Sequence, residues 1–334
     1  MYKITILGAG TWGLALASLL NDNGHKITVW SALSNEIETL KKEYKHKNLP
    51  ELIISKNITF TQNLENAVKN SKIIIFAVPS IYIRKTAKDV KNFYKPDQII
   101  INVAKGIEEK TNMTLIEQIE EEIPNSTVVV LSGPSHAEEV AKKLPTTCVI
   151  GAKNHEIAKL IQTIFMNPVF RVYTSPDIIG IELGGALKNV IALAAGIADG
   201  LGYGDNAKAA LITRGMAEIS RLGIKMGGYS QSFYGLSGIG DLIVTCSSMH
   251  SRNRKAGFLI GQGLSIKEAM DEVKMIVEGV YSAKAGKELA EKYKVEMPII
   301  NEVCAVLFEG KNPKLAVDSL MLRKKIVENK AFSW

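Results

Sequence analysis

Cysteine is scarce in this chain: Cys148, Cys246 and Cys304 are the three among 334 residues. The count is odd and no pair stands in CxxC spacing, which argues against a disulfide framework and against a zinc site, so no metal is expected. Aromatic residues make up 7%. No basic helix or aromatic platform for stacking bases is visible, so nucleic acid is not an expected partner. Low-complexity stretches are absent as well. Met1-Tyr2-Lys3 runs directly into an apolar strand pattern, without the charged and cleavable pattern of an export signal. The longest apolar region, Ile178 to Ala198, is interrupted by Glu182, Lys188 and Asn189. It reads as a buried helix and not as a membrane span. A reduced, cytoplasmic protein with no membrane insertion is the expectation. Positive charge is in modest excess, +7 with a sequence pI near 9.0. It is spread along the chain except for Arg252, Arg254 and Lys255; such a balance favours anionic ligands such as phosphates and on its own also fits nucleic acid.

The length fits two domains. The first half alternates short β-branched runs with helical patterns. Ile4–Leu7, Lys26–Trp30, Ile73–Val78, Ile99–Ala104 and Thr127–Ser132 read as strands. Trp12–Asn23 and Ser34–Tyr44 read as helices, the former stopped by Gly24. Such βαβ alternation predicts a doubly wound, mostly parallel sheet of Rossmann type. Beyond Pro176 Ala-rich helical periods take over, at Ile178–Ala198, Asn206–Leu222, Ile266–Glu272, Ser282–Tyr293 and Ile299–Phe308. The expected fold class is therefore α/β, with an N-terminal Rossmann domain over 1–175 and an all-α domain over 176–334.

Gly8-Ala9-Gly10-Thr11-Trp12-Gly13 is a GxGxxG loop between the first strand and the first helix, the context that makes it a dinucleotide site. Gly8 permits the tight turn, Gly10 lets backbone approach a pyrophosphate, and Gly13 lets helix and sheet pack closely. The helix start adds free N–H groups and the positive end of a dipole, with Thr11 and Trp12 in the loop. The second strand ends in Trp30-Ser31-Ala32-Leu33-Ser34-Asn35, with no acid before Glu36 and no arginine. The acidic NAD fingerprint is thus missing, and NAD versus NADP stays open, with Ser31, Ser34 and Asn35 able to hydrogen-bond either group.

In the second half, Glu182-Leu183-Gly184-Gly185-Ala186-Leu187-Lys188-Asn189 lies inside an apolar helix. Two interior glycines cost on the order of 1 kcal/mol each against alanine, and imply close approach of another backbone or a ligand. A buried Lys188 would have a lowered pKa suited to proton transfer near neutrality; snorkelling to the surface is the alternative. This segment joins Ser132-Gly133-Pro134-Ser135-His136-Ala137-Glu138, Gly200 to Ala210 (GLGYGDNAKAA), Gly238-Ile239-Gly240-Asp241-Leu242 and Ser251-Arg252-Asn253. With the glycine loop and Lys105-Gly106, these blocks stand in the order found in bacterial NAD(P)-dependent glycerol-3-phosphate dehydrogenases. The chain resembles that family from Ile4 to about Lys325.

The resemblance implies hydride transfer at C2 between sn-glycerol 3-phosphate and dihydroxyacetone phosphate, supplying glycerol 3-phosphate for phospholipid synthesis. Its cofactor is NAD or NADP, its site lies in a cleft between the domains, and a homodimer is the expected assembly. Lys188 resembles the catalytic lysine. Lys105 resembles a second substrate lysine that also meets the cofactor and lowers the Lys188 pKa. Asp241 resembles the carboxylate that orients Lys188 and substrate, with Thr245 adding a hydroxyl. Ser251, Arg252 and Asn253 resemble a phosphate clamp, Arg252 also reaching the cofactor; Ser251 further suits a helix N-cap. Gly133, Ser135 and Asn189 match substrate contacts, and Ala137 and Glu278 cofactor contacts. Trp12 is expected against the nicotinamide or the cleft. His136 competes as a general base on chemistry alone, whereas the resemblance makes it structural. Phe60 and Phe76 are expected in the core. The rival readings are a related β-hydroxyacid dehydrogenase and a catalytically silent NAD(P)-binding redox sensor.

Overall fold

The computed structural model describes residues 1–325, 327 and 328, so the last residues of the expected second domain lie outside the described residues. The first half forms one eight-stranded sheet in the order β3-β2-β1-β4-β5-β6-β7-β8. Its strands are β1 Lys3–Leu7, β2 Lys26–Trp30, β3 Thr59–Thr61, β4 Ile73–Phe76, β5 Ile99–Asn102, β6 Thr127–Ser132, β7 Thr146–Gly151 and β8 Phe170–Ser175. All neighbours pair parallel except β6 with β7. Ile-rich β4 and β5 are buried at every position, as strands covered by helices on both faces must be. Phe60 and Phe76 are in the core, as expected.

Three strands lie outside the apolar runs read from sequence. The edge strand β8 alternates buried and exposed residues at its start, and β3 spans just three residues, so neither presents a continuous apolar run. β7 runs antiparallel to β6, and the connection between them carries the five-residue helix Ala137–Ala141.

Past β8 the described chain is helical. Its axis is the helix Ile178–Gly200, in which every residue from Gly180 to Ala198 is buried. That helix is long and apolar enough to cross a membrane, but here protein covers it. Small residues let its neighbours come close. A Cβ added at Gly196 would lie 2.1 Å from the Arg254 carbonyl oxygen, and one added at Gly257 2.1 Å from that of Leu193. The helix Arg252–Gly261 therefore lies backbone to backbone against it, which brings Ser251-Arg252-Asn253 beside Asn189. Ile178 and Ile181 pack with sheet residues such as Val130, joining the long helix to the first half.

Candidate active site

The carboxyl ends of β5 and β6 meet the long helix, where the Lys105 stem and Ser132 lie against Gly185. In open α/β sheets that edge is where ligands bind, at the point where strand order reverses, here between β1 and β4. The glycine loop leaves β1. Gly8 has φ +120° and its missing Cβ would press on Ala77, in the segment that follows β4. A Cβ on Gly13 would lie 2.1 Å from the Gly8 oxygen, so glycine is required where helix meets loop. Gly10, by contrast, borders open space, with no atom within 4 Å of where its Cβ would be. No side chain caps the helix Thr11–Asp22 that begins there. Free N–H groups beside an uncrowded glycine fit a pyrophosphate. Trp12 is half-buried against apolar residues of the first half.

The polar centre is Asp241, which opens the helix Asp241–Ser247 and is 1% exposed. It lies between two lysines. Lys188 Nζ donates to its Oδ1 at 2.5 Å, and Lys105 Nζ to its Oδ2 at 2.6 Å. Lys188 also donates to Thr245 Oγ1 at 2.7 Å, while that hydroxyl donates to the Asp241 carbonyl oxygen at 2.6 Å. Lys105 makes a second bond to the Gly133 carbonyl oxygen, 3.1 Å. The structure thus brings together five residues singled out in the sequence, from four segments, and Lys188 does not snorkel.

The two interior glycines of the long helix explain the approach. Gly184 faces the Ser237 backbone, at 2.6 Å from its would-be Cβ to the oxygen, so the Gly238-Ile239-Gly240-Asp241 turn can press onto the helix. Gly185 faces Ser132 Oγ at 3.1 Å and the Lys105 stem at 3.4 Å.

Electrostatics follow from this packing. Burial lowers the Lys188 pKa to about 8; Asp241 raises it and the Lys105 charge lowers it. For Asp241 burial acts upward, yet the two ammonium groups outweigh it and hold the carboxyl below its usual range. His136 lies in the same field. Burial and the lysine charges push it down to about 4, and its ring packs 5.9 Å from that of His250. It is neutral at pH 7.

Most of the other candidates have partners of their own. Ser135 Oγ donates to the Gly133 oxygen at 3.0 Å, and Ala137 opens the helix that follows. Ser251 is an N-cap, accepting from Arg254 N at 3.2 Å. Arg252, at the first helical position, is exposed. Asn253 donates to Asn189 Oδ1 at 2.9 Å and accepts from Gly279 N at 2.8 Å, which leaves it one amide N–H for a ligand. Glu278 opens the helix Glu278–Tyr293 and accepts from both Ser80 N, at 3.1 Å, and the Ser80 hydroxyl. This ties the second half to the loop after β4. Ser80 in turn touches Gly106, where a Cβ would lie 2.5 Å from its own.

Sequence reasoning missed Ser80 and Asn102. Asn102 is the one polar residue of β5 and ends it; it accepts from Ala104 N at 3.1 Å and donates to Glu182 Oε1 at 3.3 Å, shaping the turn that presents Lys105. A lone polar residue closing an IIIN run was the available signal. Glu182 also accepts from Ile116 N at 3.1 Å.

Two family models match the chain. The N-terminal model of NAD-dependent glycerol-3-phosphate dehydrogenase matches residues 3–158, and the C-terminal model of the same family matches 177–318. The chain is 58% identical to glycerol-3-phosphate dehydrogenase [NAD(P)+] of Agathobacter rectalis, over 100% of both chains. It is 59% identical to the enzyme of that name from Fusobacterium nucleatum, over 98% of this chain and 99% of that one. The crystal structure of glycerol-3-phosphate dehydrogenase from Coxiella burnetii superposes with a TM-score of 0.93 at 36% identity, covering 96% of this chain and 99% of that one. Matched by both models and by such relatives along nearly its whole length, the chain belongs to the NAD-dependent glycerol-3-phosphate dehydrogenase family.

Proposed function

We propose that Lys188 moves the proton while hydride is exchanged at C2 of the substrate, in an enzyme that interconverts sn-glycerol 3-phosphate and dihydroxyacetone phosphate. The observation that carries this reading is the Asp241 carboxylate buried between Lys188 and Lys105 at the mouth of the nucleotide fold. Two of the Lys188 N–H bonds go to Asp241 and Thr245. The third direction remains for the substrate, and with a pKa near 8 both protonation states are accessible at working pH. In the oxidative direction neutral Lys188 takes the proton of the C2 hydroxyl. In the reductive direction its ammonium protonates the C2 oxygen. The nicotinamide of NAD or NADP, when bound, accepts or supplies the hydride. Lys105 places a second positive charge beside the developing alkoxide and stabilises it, and Asp241 keeps both lysines aimed.

Arg252, with Ser251 and Asn253, holds the substrate phosphate. A guanidinium fork donates two bonds at once, and Arg252 is the exposed member with its fork free of any hydrogen bond among the described residues. Asn189, Gly133 and Ser135 line the substrate, while Gly8, Gly10, Thr11, Trp12, Gly13, Ala137, Arg252 and Glu278 line the cofactor. The chain divides at 175/176, between β8 and the long helix, with the site in the cleft. Exposed Ile224, Tyr229, Tyr234 and Ile243 on adjoining segments of the helical half favour a homodimer. Three free, buried cysteines suit a reducing cytoplasm, where the product feeds phospholipid synthesis.

The test is steady-state reduction of dihydroxyacetone phosphate with NADH and with NADPH. Turnover with at least one is expected. Tight cofactor binding without turnover by either would overturn the reading in favour of a silent sensor.

A further inference from the structure

No acid follows β2 in sequence until Glu36, yet the fold brings one back. Ser31, 5% exposed, donates through Oγ to Glu36 Oε2 at 2.5 Å and accepts from Leu33 N at 3.2 Å. The first turn of the helix Ser34–Glu43 thereby holds its carboxylate over the end of the strand. That end adjoins the glycine loop, because Gly8 N donates to the Trp30 oxygen at 2.8 Å. Among the described residues Glu36 makes no ion pair, and its Oε1 accepts no hydrogen bond. Ala32 and Leu33, which follow Ser31, are exposed and uncharged. Two other groups share this field. Burial lowers the pKa of His46, which feels the Glu36 charge, while Lys47 is exposed and unpaired among the described residues.

We infer that Glu36, oriented by Ser31, sets the nucleotide preference, accepting from the adenosine ribose 2′-hydroxyl and repelling a 2′-phosphate, so that the chain selects NAD(H) over NADP(H). The inference rests on the reading of the glycine loop as a dinucleotide site. A carboxylate with one oxygen tied to Ser31 and the other open matches a hydroxyl donor. A 2′-phosphate at pH 7 is mostly dianionic, so it offers little proton and carries like charge, and no arginine follows the strand end to compensate.

The test is equilibrium binding to the full chain, without substrate, read by nicotinamide fluorescence. NADH is expected to bind more tightly than NADPH by on the order of tenfold or more, as like charge at short range requires. Glu36→Gln should shrink that ratio several-fold, chiefly by tightening NADPH, with an unchanged thermal midpoint. Leu33→Arg, which keeps Glu36 and adds a cation, should tighten NADPH alone. Equal affinities in the unmodified chain, or a ratio that Glu36→Gln leaves unmoved, would overturn this inference and leave the dinucleotide site intact. Failure to bind either nucleotide would overturn the dinucleotide reading and this inference with it.

Discussion

Replacing Asp241 by Asn removes the one negative charge between two lysines while keeping its shape. At an effective dielectric constant of about 20, a unit charge pair some 3 Å apart is worth on the order of 5 kcal/mol, a ceiling of three to four pKa units for Lys188. Two effects cut this down. Water can enter near the lost charge, and once one lysine sheds its proton the other no longer feels its repulsion, so the two titrate as a coupled pair. A downward shift of roughly one to two units is the expectation. Lys188 begins near 8, so in the variant about half or more of the amine would be neutral at pH 7. The assay is kcat/KM against pH in both directions. For the native chain, reduction should fall away above about pH 8, where the ammonium is lost, and oxidation should fall away below it. In Asp241→Asn both limbs should move to lower pH, with kcat down about a hundredfold because Lys188 and Lys105 lose their common anchor. If kcat drops and neither limb moves, Asp241 does not govern the proton of Lys188, and the electrostatic account is wrong.

Arg252→Ala should raise KM for dihydroxyacetone phosphate by about tenfold to a hundredfold and leave the fold intact, as the loss of a charge-assisted pair implies; an unaltered KM would remove Arg252 from the phosphate site. Glu182 is buried and pushed up to about 7 by desolvation, with Oε2 unpartnered. Its folded pKa exceeds the unfolded one, so the folded state holds the extra proton, and stability should fall by at most about 2–3 kcal/mol as pH rises from 4.5 to 7. Glu182→Gln should remove that slope, so denaturant midpoints of variant and native chain should diverge with pH; parallel curves would refute it. Gly257→Ala puts a methyl against the Leu193 carbonyl and should destabilise by about 1–3 kcal/mol or more, read as a lower unfolding midpoint.

The Rossmann half was legible because its strands are unbroken Ile and Val runs and its glycine loop falls between strand and helix, two signals set by local chemistry. Of the strands left out, β3 is only three residues long and β8 alternates buried and exposed residues, whereas β7 is a buried β-branched run that sequence reading passed over. Lys188 illustrates the limit for the site. Periodicity leaves it balanced between buried and snorkelling, and the outcome depends on Asp241, more than fifty positions away in sequence, which meets it at 2.5 Å. Gly184 and Gly185 did announce close contact, though not with which partner; the contacts prove to be the Ser237 backbone and the Lys105 stem. Ser80 with Glu278, and Ser31 with Glu36, were invisible for a similar reason. A serine and a glutamate carry no signal until a fold or a helix turn sets them side by side.

Chemical rescue of Lys188→Ala tests the central assignment most directly. The variant should bind NADH as the native chain does, reduce dihydroxyacetone phosphate at least about a thousandfold more slowly, and regain rate in proportion to added methylamine, most strongly where the amine is protonated. Native turnover in the variant, or a lost rate that no small amine restores, would contradict the claim that the Lys188 Nζ carries the proton.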